Sequence, residues 1–167
     1  MKFCYECGHP LVDKELEGEG IIPYCEHCQT YRFPIFSTAV SMVVRNPENS
    51  KILLIKQYGR DWNILVAGYV NKGEAAEHAV AREVMEEMGL QVSDIRFNRS
   101  EYFEPSNTLM LNFTCIADTD DLSGMTDEVD SAAWYPFTEA ASQVKQESLA
   151  EKFLLSFLEK WKDGAWK

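Results

Sequence analysis

Four cysteines within the first 28 residues, set as Cys4-x-x-Cys7 and Cys25-x-x-Cys28, restrict the start of this chain more than any other feature. Each pair can offer two thiolates to one ion, and the 17 residues between the pairs suit a four-cysteine zinc site. Two pairs complete a tetrahedral shell with no open coordination position, so a structural Zn²⁺ is expected rather than a catalytic one. A stretch of about 34 residues buries too little apolar surface to fold unaided, and the ion would supply the missing stability. Incidental thiols or a redox Cys-x-x-Cys pair is the competing reading, and the presence of two matched pairs argues against it.

The fifth cysteine, Cys115, lies in an apolar β-type run and reads as a small core residue rather than a nucleophile. The N-terminal residues Met1–Cys7 lack a signal-peptide apolar stretch, and no run is long enough to span a bilayer. A cytoplasmic protein without a membrane partner is expected, in a compartment where paired cysteines serve metals rather than disulfides. The formal charge of −11 opposes binding that depends on clustered Lys and Arg. The cysteine segment is itself acidic: Lys2, Lys14 and Arg32 face Glu6, Asp13, Glu15, Glu17, Glu19 and Glu26. A nucleic-acid partner is therefore disfavoured, whereas a phosphate-bearing small molecule held through a metal remains compatible.

Beyond this segment the patterning changes. Thr38–Val44 and Lys51–Lys56 are β-type runs joined by the turn formers of 46–50, which predicts a hairpin. A short strand is expected over Asn63–Val66, then a helix over Ala75–Met88 closed by Gly89. Extended segments follow at Ile95–Phe103, Thr108–Ala117 and Ala133–Tyr135. Leu149, Phe153, Leu154, Phe157, Leu158 and Trp161 then recur at helical spacing up to Asp163-Gly164. The expected architecture is α+β, a mixed sheet covered by helices, with residues 1–34 as a zinc ribbon and 35–167 as the main domain.

On the first helix, Glu83, Glu86 and Glu87 fall within an arc of about 100°, with Ala81, Val84, Met85 and Met88 towards the other side. Like charges at this spacing oppose helix formation by a few tenths of a kcal/mol, at roughly that cost per pair. Arg82 and divalent cations can offset the repulsion, and carboxylates are hard ligands suited to Mg²⁺ or Mn²⁺. A merely solvated acidic face is equally compatible with the spacing.

The stretch from Gly68 to Leu90 resembles the signature of the Nudix hydrolases, G-x5-E-x7-R-E-U-x-E-E-x-G-U, with U a bulky aliphatic residue. Gly68, Glu74, Arg82, Glu83, Val84, Glu86, Glu87, Gly89 and Leu90 fill its nine defined places. The resemblance implies an α/β/α sandwich and hydrolysis of a nucleoside diphosphate linked to another group. It further implies that Glu83, Glu86 and Glu87 bind the catalytic Mg²⁺ or Mn²⁺, that Arg82 orients a glutamate, and that Gly68 admits close backbone approach.

A zinc ribbon ahead of this box is similar to the NADH pyrophosphatase branch, some members of which remove NAD caps from RNA. Ala67-Gly68-Tyr69-Val70 resembles that branch's Ala-Gly-Phe-Val. Tyr69, and Phe33 just before Pro34, would then be stacking rings for the substrate. Glu128, six residues before Trp134-Tyr135, resembles a further cation ligand, although a surface acid beside Asp127 and Asp130 fits the same position. Homodimers are common in the branch. Its downstream motif Ser-Gln-Pro-Trp-Pro-Phe-Pro-x-Ser is poorly matched, since only Ser100 and a displaced Pro105 recur here. The substrates implied are NADH, NAD⁺ or ADP-ribose; the other functions weighed are a nucleotide-sensing module without turnover and NAD-cap removal.

Overall fold

A computed structural model describes residues 1–166, which divide into two compact units, one of residues 1–36 and one that begins at Ser37. The first holds strands β1 (Val12–Leu16), β2 (Gly20–Cys25) and β3 (Thr30–Tyr31) in one antiparallel sheet. The cysteine pairs sit at tight turns, where Gly8 and Gln29 take left-handed conformations with φ of 73° and 53°. Gly8 N–H donates to the Cys4 carbonyl at 2.9 Å, bending the chain back so that both thiols of the pair face the same way.

The second unit contains β4 (Ser37–Arg45), β5 (Lys51–Lys56), β6 (Val66–Tyr69), α1 (Ala76–Met88), β7 (Val92–Phe103), β8 (Thr108–Ala117), β9 (Ser131–Pro136), α2 (Phe137–Gln143) and α3 (Leu149–Lys162). The sheet runs in the order β7-β8-β4-β5-β9, with β6 also paired to β4. β4 and β8 are parallel, in register from Ser37 against Thr108 to Arg45 against Ile116, and the other pairs are antiparallel. The sheet is thus mixed, and alternating side chains supply both of its faces. Val40, Met42, Val44, Leu53 and Ile55 pack on one side with Val80, Val84 and Met88 of α1. Val43, Ile52 and Leu54 pack on the other with Ala140 of α2 and Phe153, Leu154 and Phe157 of α3. The result is an α/β/α sandwich. Cys115 is fully buried in the α1-side core, where burial pushes its thiol up to about 12.

Two local expectations need correction. The strand expected over Asn63–Val66 runs from Val66 to Tyr69, because Asn63 and Ile64 are taken up in single bridges to Val144 and Ile55. Met85, expected on the apolar side of α1, is 41% exposed, and the inward stripe is Ala79, Val80, Val84 and Met88. α2 carried no recognisable period because it is only seven residues long.

Among the described residues, no helix is long and apolar enough to cross a membrane.

Candidate active site

The strand β6 and the helix α1 bring the charged residues of this unit together. Gly68 on β6 lies against the Glu83 carboxylate: a Cβ added at residue 68 would stand 1.9 Å from Glu83 Cδ. Any side chain there would displace Glu83, so the glycine is required by the acid opposite it rather than by its own backbone angles. Tyr69 follows on the same strand and is exposed.

Arg82 links the carboxylates. Its Nε and Nη2 donate to the two oxygens of Glu74 at 2.8 and 2.9 Å, and Nη1 donates to Glu83 and to Glu86, each at 2.8 Å. Nη2 also donates to the Tyr69 carbonyl at 3.0 Å, tying the helix to β6. The guanidinium, with the Asn71 N–H, holds the Glu74 carboxyl down at about 2. Glu74 is therefore the fixed counter-ion that aims Arg82. Glu86 is the most exposed of the acids, its side chain 55% accessible.

Glu87 occupies a different environment. It is buried, its Oε2 has no hydrogen-bond partner, and burial together with the charges of Glu83, Glu128 and Glu86 pushes its carboxyl up to about 7, against the opposing hydrogen bond of Gln57. A buried carboxylate oxygen left without a donor among other carboxylates suits a divalent cation, which would satisfy the oxygen and offset the repulsion. Without metal, the raised value means that the folded state holds a proton the unfolded chain releases at lower pH. Glu87 then favours folding below about 4.5, and this contribution is lost as pH rises towards about 7. In chelator, thermal unfolding is expected to show Glu87→Gln gaining on the wild type by roughly 5–10 °C across that window. An unchanging difference in Tm between the two proteins would contradict this account.

Glu83, Glu87 and Glu128 line a cavity of about 650 Å³, together with Gly68, Tyr69 and Arg82. Glu128 reaches it from the loop after β8, where Thr126 N–H donates to the Glu87 carbonyl at 3.0 Å. Sequence reasoning missed Tyr58, Arg60 and Phe103, which line the same cavity. The cation flanked by rings in Tyr58-Gly-Arg60-Asp-Trp62 is the signal that marks the first two. Phe33 belongs to the N-terminal unit, where it follows β3 and is half exposed.

In that unit the sulfur atoms of Cys4, Cys7, Cys25 and Cys28 all lie within 4.8 Å of one another. The Cys4–Cys28 and Cys7–Cys25 separations are 4.0 and 3.5 Å, close to the roughly 3.8 Å that a tetrahedron of Zn–S bonds requires. Burial opposes ionisation of Cys4, but the backbone N–H groups of Cys7 and Glu6, with the Arg32 guanidinium, outweigh it and bring the thiol down to about 6. Arg32 Nε donates to Cys4 Sγ at 3.2 Å, and its Nη2 donates to Glu6 at 2.6 Å. The cluster therefore fits a zinc ion and already supplies a cation to the Cys4 thiol. His9 and His27, not singled out from the sequence, stack at 4.1 Å, and each has a ring nitrogen within 4.8 Å of the Cys7 sulfur.

Solved structures place the fold in a known class. A NUDIX hydrolase from Nitrosomonas europaea superposes with a TM-score of 0.68 at 21% identity, covering 98% of this chain and 94% of its own. The NUDIX domain of Shewanella oneidensis NrtR, complexed with ADP ribose, has a TM-score of 0.61 at 15% identity, covering 85% of this chain and 94% of its own. The model of the NUDIX domain matches residues 36–157, and the chain belongs to that family. It is 32% identical over 139 residues to the NAD-capped RNA hydrolase NudC of Citrobacter koseri and to that of Salmonella schwarzengrund, matching 81% of this chain. The chain spans about half the length of these curated relatives, the match covering 52% of each.

Proposed function

We propose that the protein is a divalent-cation-dependent hydrolase of nucleoside diphosphate derivatives, with NADH, NAD⁺ and ADP-ribose as first candidates. The observation that carries this reading is the partnerless Glu87 oxygen in a cavity shared with Glu83 and Glu128. Glu83, Glu86 and Glu87, with Glu128 as a further ligand, would hold Mg²⁺ or Mn²⁺. Such an ion, when bound, neutralises diphosphate oxygens and acidifies water.

The chain's own groups do the rest. Arg82 fixes Glu83 and Glu86, and Glu74 keeps Arg82 from swinging away. Water attacks phosphorus, a new P–O bond forms, the bridging P–O bond breaks, and a carboxylate of the set accepts the proton of the water. Two phosphomonoesters are released. Tyr69 offers its exposed ring to a base or nicotinamide, and Phe33 remains the second candidate ring. The four-cysteine cluster is the proposed site of a structural Zn²⁺. The likeness to NudC proteins supports a nicotinamide dinucleotide, free or at the end of RNA, and the acidity of the N-terminal unit favours the free form.

Incubation with NADH, NAD⁺, ADP-ribose and NAD-capped RNA in Mg²⁺ is expected to release AMP from the free molecules, with a nicotinamide mononucleotide or ribose 5-phosphate as the other half. Binding without cleavage of any of them would favour a sensing module instead. Gly68→Ala is expected to lower turnover by about 10²-fold, since the new methyl would force Glu83 from its place. Steady-state kinetics measures this loss, and unchanged kcat would refute the role given to the contact.

A further inference from the structure

Between β5 and β6 the chain forms a loop with an unusual combination of residues. Tyr58 and Gly59 both adopt left-handed backbone angles, φ 60° and 65°. Glycine does so freely, whereas a large aromatic residue in that region is an outlier that the surrounding structure must stabilise. The support is present: Gly59 N–H donates to Asp130 Oδ2 at 2.7 Å, Arg60 N–H closes a turn onto the Gln57 carbonyl, and Ile55 and Ile64 exchange both backbone hydrogen bonds beneath the loop. Tyr58 is nonetheless the most exposed of the large hydrophobic side chains among the described residues, at 76%.

Arg60 lies near both rings of this loop, its Cζ 5.4 Å from the Tyr58 centroid and 5.8 Å from that of Trp62. Lys145 Nζ stands 4.3 Å from the Trp62 centroid, and Lys145 N–H donates to the Asn63 carbonyl at 2.8 Å, which fastens this second cation to the loop. Among the described residues neither Arg60 nor Lys145 forms an ion pair, even with the adjacent Asp61. In a chain of net charge −11, two unspent cations interleaved with two rings form a local departure from the general charge. Tyr58 and Arg60 line the cavity of Glu83 and Glu87, where the other guanidinium, Arg82, is already held by three carboxylates.

We propose that the Tyr58–Trp62 loop, with Lys145 beside it, is a subsite for a phosphorylated nucleoside unit, binding a sugar phosphate that lies beyond the diphosphate. Arg60 is its specificity-determining residue. The rings supply a face for the base, and the cations supply charge-assisted hydrogen bonds to the phosphate. This assignment rests on the hydrolase reading for the diphosphate at the carboxylate end. The phosphate is either a terminal group on the ribose of a small dinucleotide or the first internucleotide linkage of a longer chain.

The test compares binding by the whole zinc- and Mg²⁺-loaded protein, measured calorimetrically, of adenosine 5′-monophosphate, adenosine 2′,5′- and 3′,5′-bisphosphate, and the 5′-phosphorylated dinucleotide pApA. Wild type is expected to bind the ligands with the extra phosphate about tenfold more tightly than the monophosphate. Arg60→Ala should bring this ratio close to one, and Arg60→Lys should retain most of it. Stronger preference for a bisphosphate identifies the small-molecule source, and stronger preference for pApA identifies the chain. A merely structural Arg60 would change the Tm without altering the ratio. Equal affinities in wild type, or an undiminished ratio in Arg60→Ala, would overturn the subsite. Failure to hydrolyse any dinucleotide would count against the hydrolase reading instead, because these binding ratios require no turnover.

Discussion

Glu87→Gln is expected to lower turnover by about 10³-fold while leaving the fold intact, an effect equivalent to about 4 kcal/mol of transition-state stabilisation. The amide preserves the shape of a buried side chain but removes the charge that the partnerless oxygen would offer to a cation. Loss of kcat should be accompanied by weaker Mg²⁺ dependence, because Glu83 and Glu86 remain attached to Arg82 and offer less of their charge. The measurements are initial rates across a Mg²⁺ series, with circular dichroism to check the fold. Undiminished kcat at saturating Mg²⁺ would remove Glu87 from the machinery.

The second large effect concerns the N-terminal unit. Cys25→Ala is expected to remove one zinc per chain and to unfold residues 1–36, leaving a cooperative transition for the remainder. Structural zinc in small modules contributes roughly 10–16 kcal/mol of binding free energy coupled to folding. No apolar core of this unit approaches that contribution: its sheet has three short strands, and Phe3, Tyr5, Ile21 and Phe33 are exposed. Metal analysis gives the stoichiometry, and hydrogen exchange reads the unfolding. Native-like protection in the zinc-free variant would show that packing alone suffices.

Sequence patterning was most informative where a residue's neighbours are local. α1 ends at Met88, capped by a left-handed Gly89 with φ 68°, and β8 spans Thr108–Ala117, both at the expected positions. The spacing of the cysteines anticipated their convergence because a knuckle is a local turn. What could not be read from the residues involves partners distant in the chain. Gly68 was expected to permit close backbone approach, yet the group that approaches is the Glu83 carboxylate, fifteen residues away and on another element. Periodicity placed Glu83, Glu86 and Glu87 on one face, but their environments diverge: Glu86 is half exposed, while Glu87 lies deep enough to resist ionisation. The difference arises from burial against the sheet and from the charge of Glu128, carried on a loop that does not belong to the helix. The same holds for Arg60, whose relation to Lys145 depends on a contact across 85 positions through Trp62.

The parallel pairing of β4 with β8 has a consequence for the order of assembly. Ser37 meets Thr108 only after 71 further residues have been made, whereas the antiparallel partners β5 and β6 are available sooner. At about 5–20 residues per second, nascent β4 waits roughly 4–14 s with one edge unmatched. Its apolar stretch Val40–Val44 is then the segment most prone to pair with the wrong chain. Long-range closure of this kind also slows folding in general. The central strand, the first of its unit to emerge, is therefore among the last to be fully enclosed, and the folding yield of this protein depends on how well β5, β6 and α1 shield it in the meantime.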